Sequence, residues 1–182
     1  MEILNQGSAY TWVRRCDGAV YNRQAAVAYA DKWWDSYNPS FPRFDVDCTN
    51  YISQCLFAGG GPMWGSPNRS EGWWLKGGNW SFSWSTPHSL RWYLETSKKG
   101  LRGKQVSSAY DLELGDIIFY DFQNDGRIDH SVIVTSIQDG EPLVNAHTSN
   151  SFHRPWEYLD SSAYTPNMKY YFFHIEDVIL PI

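Results

Sequence analysis

The feature that most constrains this chain is residues 45–56, Asp-Val-Asp-Cys-Thr-Asn-Tyr-Ile-Ser-Gln-Cys-Leu, followed at 59–62 by Gly-Gly-Gly-Pro. Asp47 is placed to cap the free N–H groups that open a helix, and the glycine-proline run ends one. Cys48 then falls in the first helical turn, and helical spacing puts it on the same face as Ile52. We therefore expect a short amphipathic helix whose first-turn cysteine points toward the protein interior.

This position gives the cysteine two possible roles. A thiol at a helix N-terminus lies at the positive end of the helix dipole, which lowers the thiol pKa and favours the nucleophilic thiolate. The alternative is a small cysteine buried in the core without chemistry. The chain has three cysteines, an odd number that does not make a disulfide framework. Cys48 and Cys55 are two helical turns apart, too far for an S–S bond.

Composition narrows the class of protein. A chain of 182 residues with 42% hydrophobic and 19% charged residues is typical of one folded globular domain. The net charge of −5 and the lack of a basic run argue against a nucleic-acid partner. No apolar run of membrane-spanning length and no signal-peptide pattern occurs. The sequence leaves open whether the protein stays in the cytoplasm or is processed from an exported one.

The order of elements predicts the fold class. We expect an N-terminal arm over residues 1–18 and one domain over residues 19–182. A first helix is predicted from its cap at Asn22 to about Tyr37, and another from Thr86-Pro87 to the glycine at position 100. Strand patterns follow at 116–122, 130–137, 143–148 and 169–175. This order predicts an α+β domain with N-terminal helices packed on one side of a C-terminal antiparallel sheet.

A tryptophan-rich segment separates the second and third predicted helices. Residues 62–85 show neither a helical nor a strand period, in a chain with 10 Trp, 12 Tyr and 9 Phe. A loop of this length in a compact domain is usually functional or a lid. Trp64, Trp80 and Trp84 are our candidates for contacts with a glycan or peptide. The alternative is that these side chains cover helix faces.

A cysteine nucleophile needs a base and a group that orients the base. His130 is the leading base because it follows a turn and opens a core-like strand; the alternative is a surface histidine at a hairpin mouth. A turn at Asp139-Gly140 would place His130 opposite residues 147–149. His147 is the first choice for the orienting group, with Asn145 and Asn150 as alternatives.

The other polar clusters predict no metal or cofactor. His88, His153 and His174 are expected to be structural. No CxxC or HExxH spacing occurs. The run 121–126 lacks the distal glutamate of a calcium loop and is better explained as a hairpin turn.

Several stretches together resemble one family. The run 47–54, with Ala-Gly-Gly at 58–60, resembles the core signature of the bacterial putative amidase domain, a family of the papain-like clan that includes the NlpC-type and CHAP cell-wall hydrolases. The other matching stretches occur in the family's order over roughly residues 19 to 175. They are Tyr21-Asn22-Arg23 with Ala25 and Ala26, Ser83-Trp84-Ser85, Gly115-Asp116-Ile117-Ile118, Asp129-His130-Ser131-Val132-Ile133-Val134 and Ala146-His147-Thr148.

The resemblance implies a papain-like α+β fold and a catalytic trio. Cys48 would attack an amide carbonyl, His130 would serve as general base and then acid, and His147 or a polar neighbour would be the third residue. Tyr37 is a possible counterpart of the side chain that helps to bind the oxyanion. Ser131 departs from the family pattern, in which an apolar residue usually follows the histidine.

The expected function is therefore a cysteine amidase or peptidase that acts on peptidoglycan peptides or a related cell-wall amide. For the compartment, the resemblance suggests an extracellular or cell-envelope location. Two alternatives stay open. One is a non-catalytic glycan- or peptide-binding module that uses the Trp64–Trp84 loop, and the other is a cysteine acyltransferase, because the same pair can pass an acyl group to an amine.

Overall fold

The computed structural model of the chain describes residues 18–182, so the predicted arm lies outside the described residues except for its last position. The helices are α1 (Arg23–Trp33), α2 (Cys48–Ala58), α3 (Phe82–Ser85) and α4 (Pro87–Thr96), with a 3-10 turn at Ala109–Asp111. The strands are β1 (Leu75–Lys76), β2 (Asn79–Trp80), β3 (Gly103–Val106), β4 (Ile117–Asp121), β5 (His130–Gln138), β6 (Glu141–Ala146), β7 (Ser151–Pro155) and β8 (Lys169–Ile175).

The α+β class is confirmed. Strands β3 to β8 form one antiparallel sheet in the order β3-β8-β4-β5-β6-β7, and β1 and β2 form a separate hairpin. The predicted turn at Asp139-Gly140 joins β5 to β6, with Ile133 opposite Asn145. Continuing this register past the end of β6 brings His130 level with Thr148, within the predicted range.

The two faces of the sheet bury different groups. Ile117 and Ile133 face the helices and share a core with α1, α2 and α4. Because side chains alternate along a strand, Val132 and Val134 point to the opposite face. That face packs on Tyr158 and its neighbours in the segment that follows β7. The sheet is therefore covered by helices on one side and by an irregular segment on the other.

The predicted helices begin where the sequence indicates, but α4 ends at Thr96, before the glycine at position 100, and α1 also ends early. The Asn22 side chain accepts from the Ala25 backbone N–H and caps the helix as expected. The helix ends at Trp33 instead of Tyr37 because the chain turns there, with the Ser36 N–H bonded to the Trp33 carbonyl.

The tryptophan-rich segment is part of the core. Trp73, Trp74 and Trp84 are buried, and the rings of Trp73 and Trp84 lie 4.9 Å apart. Their indole N–H groups are satisfied inside the protein, since Trp73 donates to Ser53 Oγ and Trp84 to Asn50 Oδ1. Segment 62–85 is therefore a covering layer over α2, built from the β1–β2 hairpin and α3.

The Gly115-Asp116 stretch ties the first helix to the sheet. Asp116 is fully buried, and its carboxylate accepts from Arg23 Nη1 at 2.6 Å and faces His174 Nδ1 at 2.9 Å. It also accepts from the backbone N–H groups of Glu113 and Ile175. One carboxylate thus joins α1, the start of β4 and the end of β8.

None of the helices within residues 18–182 combines the length and the apolar character needed to cross a membrane.

Candidate active site

The first residue of α2 is Cys48, which lies against the beginning of β5. Its side chain is 1% exposed, and Sγ lies 3.7 Å from Thr49 Oγ1. Backbone and side-chain groups of Ser131 also face the thiol. Ser131 Oγ in turn lies 3.2 Å from Thr49 Oγ1. The serine that departs from the family pattern therefore forms part of the wall around the sulfur.

The expectation of a thiolate at Cys48 is wrong for this structure. Burial raises the pKa of the Cys48 thiol above its ordinary value of 9.0, and the hydrogen bonds from Thr49 and Ser131 offset this only in part. Desolvation disfavours a charged sulfur more than the helix dipole favours it. The resting side chain is a neutral thiol.

Asp47 precedes the cysteine and holds the helix start in an unexpected way. It occupies the N-cap position, but its side chain accepts from no backbone N–H of the first helical turn. Its carboxylate instead accepts from the Phe44 backbone N–H and from Asn50 Nδ2, and lies 2.7 Å from His147 Nδ1. The predicted cap is thus an anchor between the preceding loop, the helix and the sheet.

His130 opens β5 and is surrounded by aromatic rings. It is 6% exposed and stacks near Tyr120 and Phe122. Nε2 lies 3.3 Å from the Tyr158 hydroxyl oxygen. Burial first, and then the positive charge of Arg154, lowers the pKa of His130 from 6.5 to about 4. The imidazole is therefore neutral near pH 7, which is the form that a general base requires.

The cysteine and this histidine are brought into the same neighbourhood. Ser131, whose groups face the Cys48 thiol, directly follows His130 in β5. Because side chains alternate along a strand, the His130 ring lies on the other face, against Tyr120 and Tyr158. A charge on Cys48 would also raise the pKa of Tyr158, the phenol that contacts His130. Among the hydrogen bonds of residues 18–182, none joins Sγ directly to an imidazole nitrogen. At rest both the thiol and the imidazole are neutral.

His147 does not contact His130 as the register suggested. Its Nε2 donates to the Trp33 carbonyl at 2.7 Å, and its Nδ1 faces Asp47 at 2.7 Å. The ring stacks on Tyr51 of α2 with centroids 4.1 Å apart. Because both nitrogens already have partners, this histidine holds α1, α2 and the sheet together.

The alternative orienting residues are also placed elsewhere. Asn145 donates to Asp31 and accepts from Thr135 and the His153 backbone N–H. Asn150 is an exposed residue in the turn after β6.

The side chain that bonds His130 is Tyr158, which the sequence analysis missed. Tyr158 is 3% exposed, lies after β7 and has a φ of 61°. No periodic pattern marks a tyrosine in an irregular segment, so only the folded chain reveals its position.

The four predicted substrate-binding residues do not line one common surface in the structure. Tyr37 packs on His147, with ring centroids 5.0 Å apart, and His147 in turn faces Asp47, the residue before Cys48. Trp80 is half-buried and packs on Phe44, whose N–H bonds Asp47. The prediction for Trp84 needs correction because this side chain is fully buried in the core and lines no surface.

Trp64 lines a groove of about 640 Å³ between segment 62–85 and α4. The groove is lined by aromatic and cationic side chains and does not include the cysteine. Its main residues are Trp64, Arg69, Phe82, Trp92, Lys98 and Lys99.

Within residues 18–182, no three His, Cys, Asp or Glu side chains converge in the way that a metal ion requires.

The comparisons with known proteins identify the family of the chain. The model of the putative amidase domain matches residues 20–173, and the chain belongs to this family. Family membership indicates amidase activity. No solved structure matches the chain.

Two relatives come from Bacillus subtilis (strain 168). The chain is 53% identical to the uncharacterized protein YhbB over 158 residues, which are 86% of this chain and 51% of that protein. It is 32% identical to the uncharacterized protein YjcM over 150 residues, 78% of this chain and 34% of that protein. The chain thus spans about half of one relative and a third of the other.

Proposed function

We propose that this domain is a cysteine amidase of papain-like type, with Cys48 as nucleophile and His130 as general base and acid. The observation that carries the proposal is the position of the thiol. It lies at the first residue of α2 and against Ser131, the residue that follows the neutral, buried His130.

The reaction follows from these two side chains. As Sγ attacks the amide carbonyl carbon, the thiol proton passes to the His130 imidazole. The C–N bond then breaks, and the departing amine takes that proton while the acyl group stays on sulfur as a thioester. Water attacks the thioester, His130 accepts its proton, and the thiol is restored as the carboxylic acid leaves.

The helix start supplies the charge stabilisation that this reaction needs. The first N–H groups of α2 lack partners within the helix, and the helix dipole is positive at this end. The Cys48 N–H would donate to the oxyanion of the tetrahedral intermediate. Tyr37 packs on the His147 ring that faces Asp47, the residue before Cys48, and is the second candidate donor.

The pKa values of the two groups define when proton transfer occurs. Because the Cys48 pKa is raised and the His130 pKa lowered, a resting thiolate–imidazolium pair is disfavoured. Proton transfer therefore accompanies attack on a bound amide. Since Cys48 is 1% exposed, the substrate also requires a local opening beside the thiol.

For the substrate, we propose a peptide amide of the bacterial cell wall. Family membership supports an amide, and the cationic group beside the site supports a peptide with a free carboxylate. The guanidinium carbon of Arg43 lies 4.1 Å from the Tyr37 ring centroid, which places a positive charge close to the candidate oxyanion donor. Cation–aromatic stacking of this kind fixes the guanidinium where a carboxylate can reach it.

The proposal is tested by incubating the domain with soluble peptidoglycan fragments and identifying products by mass spectrometry. Cys48→Ala and His130→Ala should abolish hydrolysis, each with a loss of at least about a hundredfold. Cys55→Ala is the matched control, because this second buried cysteine of the same helix lies two turns beyond Cys48 and its thiol faces Tyr51 rather than Ser131. Addition of hydroxylamine separates hydrolysis from acyl transfer, since a transferase would yield the hydroxamate in preference to the acid.

The groove supports a second, separate candidate function in glycan binding. Aromatic faces and three cationic side chains suit a sugar chain that carries negative charge. Sedimentation with insoluble peptidoglycan tests it: Cys48→Ala should still bind, Trp64→Ala should bind weakly, and Trp80→Ala should resemble the unmodified protein. Equal binding by the Trp64 and Trp80 variants would contradict glycan binding in the groove.

A further inference from the structure

The hydroxyl of Ser151 fixes the direction of a chain of hydrogen bonds behind His130. A serine hydroxyl has one proton to donate and two lone pairs to accept. Ser151 Oγ gives its proton to the Ser149 carbonyl at 2.9 Å, because a carbonyl can only accept. Arg154 Nη1, which can only donate, lies 3.3 Å from the same Oγ. Toward any further partner, Ser151 can therefore only accept.

That further partner is the Tyr158 hydroxyl, 3.4 Å from Ser151 Oγ. Because Ser151 can only accept, a hydrogen bond between the two hydroxyls takes the single proton of the phenol. The phenol oxygen then has only its lone pairs left for His130 Nε2, 3.3 Å away. The hydrogen bond to His130 must consequently run from an Nε2–H donor to the Tyr158 oxygen.

We propose that Tyr158 is a positioning residue that holds the neutral imidazole of His130 as the Nε2–H tautomer and leaves Nδ1 unprotonated to receive the Cys48 proton. The tautomer assignment stands on the hydrogen bonds alone. Its catalytic meaning rests on the proposed function. Tyr158 acts through His130 and need not touch the substrate.

The surroundings hold the phenol in this place. The guanidinium carbon of Arg154 lies 3.9 Å from the Tyr158 ring centroid, and Arg154 Nη2 is paired with Asp160 at 2.7 Å. The φ of 61° puts Tyr158 in the left-handed region, which is costly for an aromatic residue and persists only where neighbouring contacts fix it.

The charged and titratable groups around the imidazole are consistent with a neutral ring. Tyr120 faces it from β4, Arg154 lies on β7, and Tyr158 follows β7. Cys48 approaches from α2 through Ser131. The Arg154 cation opposes protonation of His130.

The experiment is NMR of the domain with ¹⁵N-labelled histidine at pH 7. His130 should show a protonated Nε2 and an unprotonated Nδ1. Ser151→Ala removes the acceptor of the phenol proton, which frees Tyr158 to donate to Nε2 and should shift His130 toward the Nδ1–H tautomer. Tyr170→Phe is the control, because this hydroxyl donates to the Glu157 carbonyl in the same aromatic cluster. It should leave the His130 signals unchanged.

Kinetics then test the positioning role. Tyr158→Phe should lower kcat by about tenfold or more with KM nearly unchanged, while Tyr170→Phe stays close to the unmodified enzyme. A protonated Nδ1 in the unmodified domain, no tautomer shift in Ser151→Ala, or a kcat for Tyr158→Phe within about twofold would overturn the inference. The NMR result is independent of hydrolysis, so an inactive domain with the expected tautomer would count against the proposed function alone.

Discussion

The buried pair of Asp47 and His147 should stabilise the domain, because Asp47 holds the start of α2 to the preceding loop and to His147. Asp47 is 2% exposed, and its carboxylate has three partners: the Phe44 N–H at 3.0 Å, Asn50 Nδ2 at 2.9 Å and His147 Nδ1 at 2.7 Å. Asp47→Ala leaves all three without their acceptor. Removal of one member of a buried pair costs about 3–5 kcal/mol of unfolding free energy. For a chain of this size, that corresponds to a fall in Tm of roughly 6–20 °C.

The assay is urea unfolding followed by tryptophan fluorescence, with Asp45→Ala as the matched control because that carboxylate is exposed two residues earlier. The control should lie within about 0.5 kcal/mol of the unmodified domain. A double-mutant cycle with His147→Phe, which keeps the stacking on Tyr51, should give a coupling of about 1–3 kcal/mol. Equal effects of Asp47→Ala and Asp45→Ala, or no coupling, would refute the anchoring role.

Three further predictions follow from burial. Alkylation of Cys48 by iodoacetamide should be slow at pH 7 and rise steeply toward and beyond pH 9, since its pKa is raised; rapid labelling at pH 7 would contradict a neutral buried thiol. The pKa of His130 is lowered from 6.5 to about 4, so the unfolded chain binds the proton before the folded one does. The free energy of unfolding should therefore be highest above pH 6.5 and fall by about 3 kcal/mol as the pH drops to 4. Urea unfolding across this range should show a shallower pH dependence for His130→Gln, and identical slopes would argue against the shift. Trp84→Ala should cost about 3–5 kcal/mol and the half-exposed Trp92→Ala less than about 1 kcal/mol in the same measurement; similar costs would mean that Trp84 is not a core residue.

The sequence predicted the long and periodic elements of this fold well. Helix α2 and strand β8 occur at their predicted positions because each has a regular apolar pattern and clear stop signals. The edge strands β3 and β7 were missed, since Gly-Lys-Gln-Val and Ser-Phe-His-Arg-Pro carry the charged and polar side chains of sheet edges. Tertiary contacts, rather than local pattern, define these strands.

The tryptophan-rich segment shows why composition alone was ambiguous. Aromatic side chains suit both a core and a ligand groove. Burial in the folded chain separates the two cases: Trp84 is fully buried and lines no surface, whereas Trp64 lines the groove even though its indole N–H donates to the Tyr93 hydroxyl.

The sequence predicted the helix and the strand that carry the candidate residues, but it did not predict which side chain bonds the histidine. A cysteine at a helix start and a histidine at a strand start follow from local signals. Which group bonds the histidine depends on side-chain direction and on irregular backbone. His147 was aligned with His130 by register but points toward α2, where Asp47 lies 2.7 Å away, and Tyr158 takes the place beside His130 from outside any predicted element.

The central claim, that Cys48 forms the covalent intermediate, is tested most directly by rapid-quench mass spectrometry during turnover of a peptidoglycan peptide. The experiment uses the Cys55→Ala background, which leaves Cys48 as the only cysteine in the central helix. Fragmentation of the quenched protein should place the acyl mass on Cys48, and His130→Ala should remove it. An acyl group on another residue, or continued hydrolysis after Cys48→Ala, would contradict the account.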